Sequence, residues 1–383
     1  MMNVVYCFIL TVILFLGTYH INSPKSDINS KNFQIPIIDK EKTFPMREYK
    51  PETDVFYVKL ETNKEALLGG AARIFYVSDT TILVANKNRG EVFIFGIDGK
   101  MIKKFSVKGG LGVRLISYVV YDESNKEIFI LDTTSRKIVV YNMQGNYLRT
   151  LRFPSDIIFV EISNFDNETL LAYHEHLYGP ILQKQPYMLI SKINGTVISK
   201  LNINLQKANS SVHIENSTWT RISTDHSGNC KFGNEFILAN MSSDTIYLLK
   251  QDKTILPLFV QNPTVFSDPP KVVSVGMKTD EFITFAIYTF DVKSAARRET
   301  SGRFDTDARF VSYEFGTGRF YEHKSRGCWA EKAELPRNTG ARFIYPFDLI
   351  NKLKLGVLEG ELKTIASNLR IDDNPIIKII KVK

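Results

Sequence analysis

Cysteine is scarce in this chain, which limits the covalent and metal chemistry open to it. The 383 residues contain three cysteines, Cys7, Cys230 and Cys328. Three are too few for a disulfide framework, and their spacing excludes a zinc site built from cysteines. Cys230 and Cys328 either form a disulfide or remain thiols, and the sequence leaves both possibilities open.

The chain also has no run of five or more charges of one sign. Its formal net charge is +8, and the segment from Lys293 to Lys383 contains 18 Lys and Arg against 12 Asp and Glu. The two signs alternate through this segment, which is typical of a solvated surface. We therefore expect no nucleic-acid partner.

Long hydrophobic runs are absent except at the N terminus, where Val4 to Tyr19 is nearly all apolar and uncharged. This length lies between a signal-peptide core and the roughly 20 residues of a full membrane span. We expect residues 1–22 to be a signal peptide or membrane anchor, with residues 4–19 as the only membrane contact. Residues 23–50 then form a polar linker and residues 51–383 the folded domain. The predicted location is the cell envelope, on the periplasmic or extracellular side.

An internal repeat is the most informative feature that is present. The stretch Ile82 to Phe105 recurs, without a gap, as Ile128 to Leu151. Each copy consists of short apolar strands around a two-residue turn that ends in glycine. The turn appears a third time at Asn194-Gly195, and less regular copies begin near Phe236 and Phe282. Repeats of this length cannot bury their apolar faces alone, so they stack into a propeller or solenoid.

The two ends of the folded part predict how the array closes. Leu358, Leu362, Ile365 and Leu369 recur at helical spacing, and the apolar strand Ile376 to Val382 follows. The folded part begins with alternating apolar residues in Val55 to Leu60. Pairing these two strands in one sheet hides both edges. The predicted fold is all-β, a six-bladed β-propeller with a short C-terminal helix before the closing strand.

Two segments at these ends and one turn also carry a resemblance to a known group. They are residues 57–63 (YVKLETN), residues 97–102 (IDGKMI) with the glycine-rich residues 108–112, and residues 372–377 (DDNPII). The chain resembles the six-bladed β-propellers of unknown function from the envelopes of Bacteroides-type bacteria, which are relatives of NHL-repeat propellers. The resemblance covers roughly residues 54–383 and implies a fold without an established reaction. Val113 and Arg114 replace the usual proline and acidic residue of that family, and its lipoprotein cysteine is missing.

Few residue patterns point to catalysis or to a metal. His174 and His176 in His174-Glu175-His176 would share one face of a strand, but no third ligand lies nearby in the sequence. Asp225-His226 offers an acid and a base without a nucleophile at a fixed spacing. The glycine-rich segment from Lys108 does not open a helix, so we interpret it as a connection between blades. We predict no metal, no cofactor and no catalytic residue.

Three polar residues and a group of arginines complete the candidate list. Asn86, Asp132 and Asn240 each end a strand, where their side chains can bind backbone amides of the following turn. Arg297, Arg298 and Arg303, with Arg309 beyond them, lie in a long insertion of the fifth repeat. Guanidinium groups suit carboxylate, sulfate or phosphate ligands, so Arg297, Arg298 and Arg303 are the predicted ligand-binding residues.

The sequence therefore favours a non-catalytic envelope propeller that binds a glycan or a partner protein, or acts as a scaffold. An enzyme is the second hypothesis, because propellers also host reactions. It would be a metal-dependent lactonase-like or lyase-like propeller with an ion at the central channel. The oligomeric state is not predicted by any pattern.

Overall fold

The computed structural model shows six β-sheets arranged as blades in a ring, which confirms the predicted six-bladed propeller. It describes residues 34–47, 53–108, 113–154, 156–174, 184–207, 212–215, 218–221, 229–269, 271–289, 308–324 and 333–383. Within these residues the secondary structure is mainly strand. The membrane-anchor prediction for residues 4–19 lies outside them.

The first three blades are four-stranded antiparallel sheets built from the repeats recognised in the sequence. Blade 1 consists of β3 (Ala72–Val77), β4 (Thr81–Asn86), β5 (Glu91–Gly96) and β6 (Met101–Ser106). Blade 2 consists of β7 (Tyr118–Asp122), β8 (Glu127–Asp132), β9 (Lys137–Asn142) and β10 (Tyr147–Arg152). Blade 3 consists of β11 (Phe159–Asn164), β12 (Thr169–His174), β13 (Tyr187–Ser191) and β14 (Val197–Lys200).

Blades 4 and 5 follow the same plan with longer connections. Blade 4 consists of β17 (Cys230–Phe232), β18 (Glu235–Leu238), β19 (Thr245–Leu249) and β20 (Ile255–Asn262). Blade 5 consists of β21 (Lys271–Lys278), β22 (Phe282–Thr289), β23 (Ala308–Glu314) and β24 (Arg319–His323). A separate hairpin of β15 (Val212–Glu215) and β16 (Thr218–Arg221) lies in the chain between blades 3 and 4.

Blade 6 is built from both ends of the folded chain, as the sequence predicts. Its sheet contains β25 (Thr339–Ile344), β26 (Ile376–Val382) and β2 (Thr53–Lys59). β2 and β26 pair antiparallel along their full length, with Val55 opposite Ile380 and Val58 opposite Ile377. Two helices, α1 (Pro346–Lys354) and α2 (Gly360–Ser367), join β25 to β26. The prediction of a C-terminal helix is confirmed by α2, and α1 is an additional helix.

A buried asparagine, Asn374, connects residues 57–63 to residues 372–377, the two terminal segments that carry the family resemblance. Asn374 is 3% exposed, and its amide nitrogen donates hydrogen bonds to the carbonyls of Glu61 and Ala66, each at 2.7 Å. Its amide oxygen accepts from the backbone N–H of Leu68 at 2.9 Å. The segment that follows β2 is thus held by the residue that precedes β26.

The chain before β2 also contributes to the ring, which differs from the prediction of a linker over residues 23–50. β1 (Ile37–Asp39) pairs parallel with β20 as a fifth strand of blade 4. Phe44 stacks on Phe320 of blade 5 with ring centroids 5.1 Å apart, and Met46 forms a bridge to Glu322. Ile38 and Phe44 are buried against these blades, so residues 37–46 cover the edges of blades 4 and 5.

The apolar core lies between neighbouring blades. Separate clusters of buried side chains join blades 1 and 2, blades 2 and 3, blades 3 and 4, and blades 4 and 5. The cluster that contains Val58, Phe93 and Ile377 joins blade 6 to blade 1. Because each blade packs on both of its faces, the middle strands are apolar on both sides; every residue of β4 is buried.

Alternating strand direction gives the ring two distinct faces. β3, β7 and β11 contact one another between blades and are the inner strands. The connection face is the side where these strands begin, at Ala72, Tyr118 and Phe159. It receives the connections between blades and those between second and third strands. The hairpin face is the opposite side, which carries the glycine turns at Gly99 and Gly145.

Candidate functional site

A short extended segment, residues 333–335, crosses the ring axis; we call it the axial segment. Glu334 forms a parallel bridge with Tyr76 of blade 1, and Leu335 forms one with Phe232 of blade 4. The backbone N–H of Glu334 donates to Phe75 O at 2.9 Å. Blades 1 and 4 are opposite each other in a ring of six, so a segment that bonds to both must occupy the axis. The central channel is closed by the chain itself.

The side chain of Glu334 connects the axial segment to two further strands. It is 6% exposed, and Oε1 accepts from the backbone N–H of Asn164 at 2.7 Å. Oε2 lies 3.2 Å from the Lys231 ammonium, which also donates to Asn164 O at 2.6 Å. Removal of either partner of a buried ion pair leaves an uncompensated charge. This arrangement therefore acts as a structural tie between blades 1, 3 and 4.

A small polar cavity lies beside the axial segment, toward the connection face. Its lining includes Tyr118, Ser163, Asn229, Cys230 and Glu334. The cavity volume is about 10 Å³, which gives room for about one water molecule. Desolvation, followed by the charges of Glu161 and Glu334, raises the pKa of the Tyr118 hydroxyl well above its usual value. Tyr118 is therefore a neutral hydrogen-bonding group at physiological pH.

Hydrogen bonds continue from this cavity into the space between blades 3 and 4. The hydroxyl of Tyr187 donates to Asn229 Oδ1 at 2.8 Å, and Asn229 Nδ2 donates to Glu161 Oε2 at 3.5 Å. The Cys230 thiol lies 3.7 Å from Val275 O, to which it donates. These groups satisfy one another, as buried polar groups must. The axis is therefore a polar core that fixes the ring.

The segment that contains the arginines predicted to bind a ligand has both of its described ends at the connection face. Arg297, Arg298 and Arg303 lie outside the described residues, in the connection from Thr289 to Ala308, and both of these residues are at the connection face. Arg309 has a structural role instead. Its guanidinium donates to Lys40 O at 2.9 Å and to Lys42 O at 2.6 Å, and its Nε donates to Glu322 at 2.7 Å.

The predicted turn role of the strand-ending polar residues is confirmed. Asn86 Oδ1 accepts from Arg89 N at 3.0 Å. Asp132 Oδ1 accepts from Ser135 N at 2.9 Å, and Asn240 Oδ1 accepts from Ser242 N at 2.7 Å. These side chains are buried and serve the backbone.

The remaining sequence candidates separate into buried and undescribed residues. His174 is buried, and its ring meets Phe159 edge to face. Several candidate residues lie outside the described part of the chain: Glu175, His176, Asp225, His226, Cys328 and the glycines of residues 109–112. Within the described ranges no three His, Cys, Asp or Glu side chains form a metal-binding group. No helix in those ranges is long and apolar enough to cross a bilayer.

The axial residues were not among the sequence candidates. Glu161 and Lys231 each occur inside a short apolar strand, and an ion in such a position is a signal of burial with a partner. The partner could not be identified, because Glu334 comes 103 residues after Lys231 and lies outside any regular strand. Only the ring geometry brings them together.

Comparison with known proteins gives a family and a fold. A family profile described as a domain of unknown function, DUF4934, matches residues 32–325. No curated protein matches the chain. A crystal structure from Bacteroides fragilis, named as a candidate exported protein, aligns with a TM-score of 0.65 at 13% identity; it covers 91% of this chain and 99% of that protein.

Two further structures have lower scores. A member of the duf4221 family from Bacteroides vulgatus has a TM-score of 0.46 at 10% identity and covers 71% of this chain and 86% of its own. Virginiamycin B lyase from Staphylococcus aureus has a TM-score of 0.40 at 10% identity and covers 86% of this chain and 99% of its own. The profile match extends over most of the sequence and begins before β1, in agreement with the contribution of residues 37–46 to the ring. The chain belongs to the DUF4934 family of β-propeller proteins, for which no function is described.

Proposed function

We propose that this chain is a non-catalytic binding propeller of the cell envelope, which presents its connection face to an acidic glycan outside the cytoplasm. The observation that carries the proposal is the closed axis. Residues 333–335 and the Glu334–Lys231 pair occupy the axis, which supports binding outside the channel. Thr289 and Ala308, at the connection face, flank the segment that contains Arg297, Arg298 and Arg303.

The proposed location rests on two observations. The apolar segment Val4 to Tyr19 is typical of export or anchoring. The Bacteroides fragilis protein of similar fold is named as a candidate exported protein. Outside the cytoplasm, carboxylated and sulfated glycans are common anionic ligands, and arginine binds such groups through two parallel hydrogen bonds.

A glycan array with the full chain tests the proposal. We expect binding to carboxylated or sulfated glycans at 50 mM salt. The triple variant Arg297→Ala, Arg298→Ala, Arg303→Ala should bind at least tenfold more weakly. The matched control is Lys100→Ala, Lys103→Ala, Arg319→Ala, which removes three cations at the hairpin end of the outer strands. Equal binding by the triple variant and the wild type, or binding to no acidic glycan, overturns the proposal. A partner protein is then the remaining ligand class.

The enzyme hypothesis makes a different prediction. A metal-dependent lactonase-like or lyase-like propeller holds a divalent ion at its channel with carboxylate, amide or imidazole groups. Metal analysis of the purified chain, with thermal unfolding in added calcium or zinc, separates the two. The binding proposal predicts no stoichiometric ion and no shift of the unfolding midpoint. One bound ion per chain together with a raised midpoint favours the enzyme.

A further inference from the structure

The outer edge of blades 1, 2 and 3 carries a surface that the proposed glycan binding does not use; we call it the basic rim. It consists of residues 97–106, 143–152 and 193–200, which are the outer strands β6, β10 and β14 with their preceding turns. The chain covers the edges of blades 4 and 5 with residues 37–46, and β2 is itself the outer strand of blade 6. Among the described residues, no further strand pairs with the outer strands of blades 1, 2 and 3.

Apolar side chains are exposed at equivalent positions of the three repeats. Ile102, Leu148 and Ile198 each follow their turn glycine by three residues, and they are 62%, 42% and 52% exposed. Three more large apolar side chains of the basic rim are exposed: Ile97, Tyr147 and Ile193. All six lie in or next to the glycine turns, so they share the hairpin end of the rim. Repeated exposure of this kind marks an interaction surface.

The three outer hairpins are in contact with one another, so the exposed groups belong to one band. A Cβ added at Gly145 of blade 2 would lie 2.7 Å from Phe105 of blade 1. One added at Gly195 of blade 3 would lie 3.0 Å from Leu151 of blade 2. Arg149 also donates from blade 2 to Lys192 O in the turn of blade 3, at 2.8 Å. Each turn rests on the outer strand of the preceding blade.

The charge of the basic rim has one dominant sign. Its three segments contain six basic residues and a single acidic one, Asp98. Lys104 pairs with Glu91 of the adjacent strand β5, and Arg149 pairs with Glu127 of β8 in the same blade. The other basic residues are Lys100, which lies 3.8 Å from Asp98, and three exposed residues that pair with no described carboxylate: Lys103, Arg152 and Lys200. Lysine on an edge strand also prevents edge-to-edge pairing of sheets. Protection of the edge does not explain why Ile102, Leu148 and Ile198 are exposed next to these cations.

We propose that the basic rim lies on an anionic lipid bilayer, as a membrane contact in addition to the one predicted for residues 4–19, with Ile102, Leu148 and Ile198 inserted at its surface. Exposed apolar side chains that alternate with cations are the composition of surfaces that bind in the membrane interface. A second copy of this chain is a poorer occupant, because a two-fold contact would bring one basic rim against another. With the outer edge of blades 1, 2 and 3 on the bilayer, blades 4 and 5 lie away from it and the connection face stays open to ligands.

Quenching of single tryptophans by brominated lipid tests this placement residue by residue. Ile102→Trp, Leu148→Trp and Ile198→Trp are made one at a time in the full chain, and the signal of the native tryptophans is subtracted. The matched control is Leu256→Trp, at an exposed apolar position of β20 in blade 4, outside the basic rim. Vesicles consist of phosphatidylcholine alone or of equal parts phosphatidylcholine and phosphatidylglycerol, each with brominated acyl chains.

We expect the added fluorescence at 102, 148 and 198 to fall by at least half in the anionic vesicles, and at 256 to stay unchanged. In phosphatidylcholine alone all four should stay unquenched, even where residues 4–19 hold the chain to the vesicle. The variant Lys103→Glu, Arg152→Glu, Lys200→Glu should abolish the quenching, and 0.5 M salt should weaken it. Unfolding midpoints confirm that each variant is folded. Leu148→Ser, added to Ile102→Trp, removes an exposed apolar side chain without adding bulk and should weaken the quenching at 102.

Four results overturn the proposal. They are absence of quenching at 102, 148 and 198 in the anionic vesicles, equal quenching at 256, equal quenching in phosphatidylcholine, and quenching that survives charge reversal. Self-association of the chain in the first case would identify a second copy as the occupant. None of these results bears on glycan binding, which is tested by substitution of Arg297, Arg298 and Arg303, outside the basic rim.

Discussion

Replacement of Asn374 by alanine should weaken ring closure more than any single surface change. The amide of Asn374 makes three hydrogen bonds to the segment after β2, at 2.7, 2.7 and 2.9 Å. In Asn374→Ala the Leu68 N–H and the Ala66 carbonyl, both in fully buried residues, lose their partners. Each unsatisfied buried group costs about 1–3 kcal/mol, while Glu61 is exposed enough for water to replace its bond. We expect a loss of about 4 kcal/mol in the free energy of unfolding.

Equilibrium unfolding in urea measures this loss. Asn204→Ala is the control, because Asn204 is exposed and, among the described residues, its side chain bonds only to that of Asn202, at 2.8 Å; its expected cost is below about 0.5 kcal/mol. Asn374→Asp keeps the acceptor for Leu68 N but turns a carboxylate oxygen toward two carbonyls. Its deficit against the wild type should shrink as pH falls and the carboxyl becomes protonated. A cost for Asn374→Ala within 1 kcal/mol of the Asn204 control would refute the reasoning.

Two further predictions concern a turn and a buried lysine. Gly99→Ala should lower the free energy of unfolding in urea by about 2–4 kcal/mol, because φ at Gly99 is +81° and an added Cβ would collide with Lys59 O. Gly70→Ala is the control and should be nearly neutral, because Gly70 has open space around it and no positive φ. Equal costs for the two variants would contradict this contact between blades 1 and 6. Desolvation lowers the pKa of Lys40 from 10.5 to about 8, so between these values the unfolded chain holds more protons and stability rises with pH. The stability gained by Lys40→Met relative to wild type should therefore be larger at pH 7.5 than at pH 10, and a constant difference would show that Lys40 is not desolvated.

The architecture was predictable because it depends on local patterns. The recurrence of Ile82 to Phe105 as Ile128 to Leu151 fixes strand length, turn position and the inner face of each blade. The terminal strands Val55 to Leu60 and Ile376 to Val382 had exposed edges to hide, and the structure pairs them. Periodicity and edge protection are properties that a single sequence displays.

The features missed by the sequence depend on distant pairing instead. β1 is only three residues long, and its parallel partner β20 lies more than 200 residues later, so its polar surroundings indicated a linker. The axial segment has no strand pattern, since it is held by isolated bridges and by the side chain of Glu334. These contacts form between residues far apart in the chain, once the blades have assembled into a ring. The secondary-structure propensity of a short segment gives no information on its distant partner.

A disulfide between the two ends of the chain is the most direct test of the closed ring. Asp54 and Lys381 are opposite each other in the β2–β26 pair, and both side chains are about half exposed. The double variant Asp54→Cys, Lys381→Cys should oxidise to an intramolecular disulfide and gain up to about 5 kcal/mol, because the bond closes a loop of most of the chain. Asp54→Cys alone should show neither effect. If the double variant forms no such disulfide while folded, the two ends are not neighbours and the ring is not closed by them.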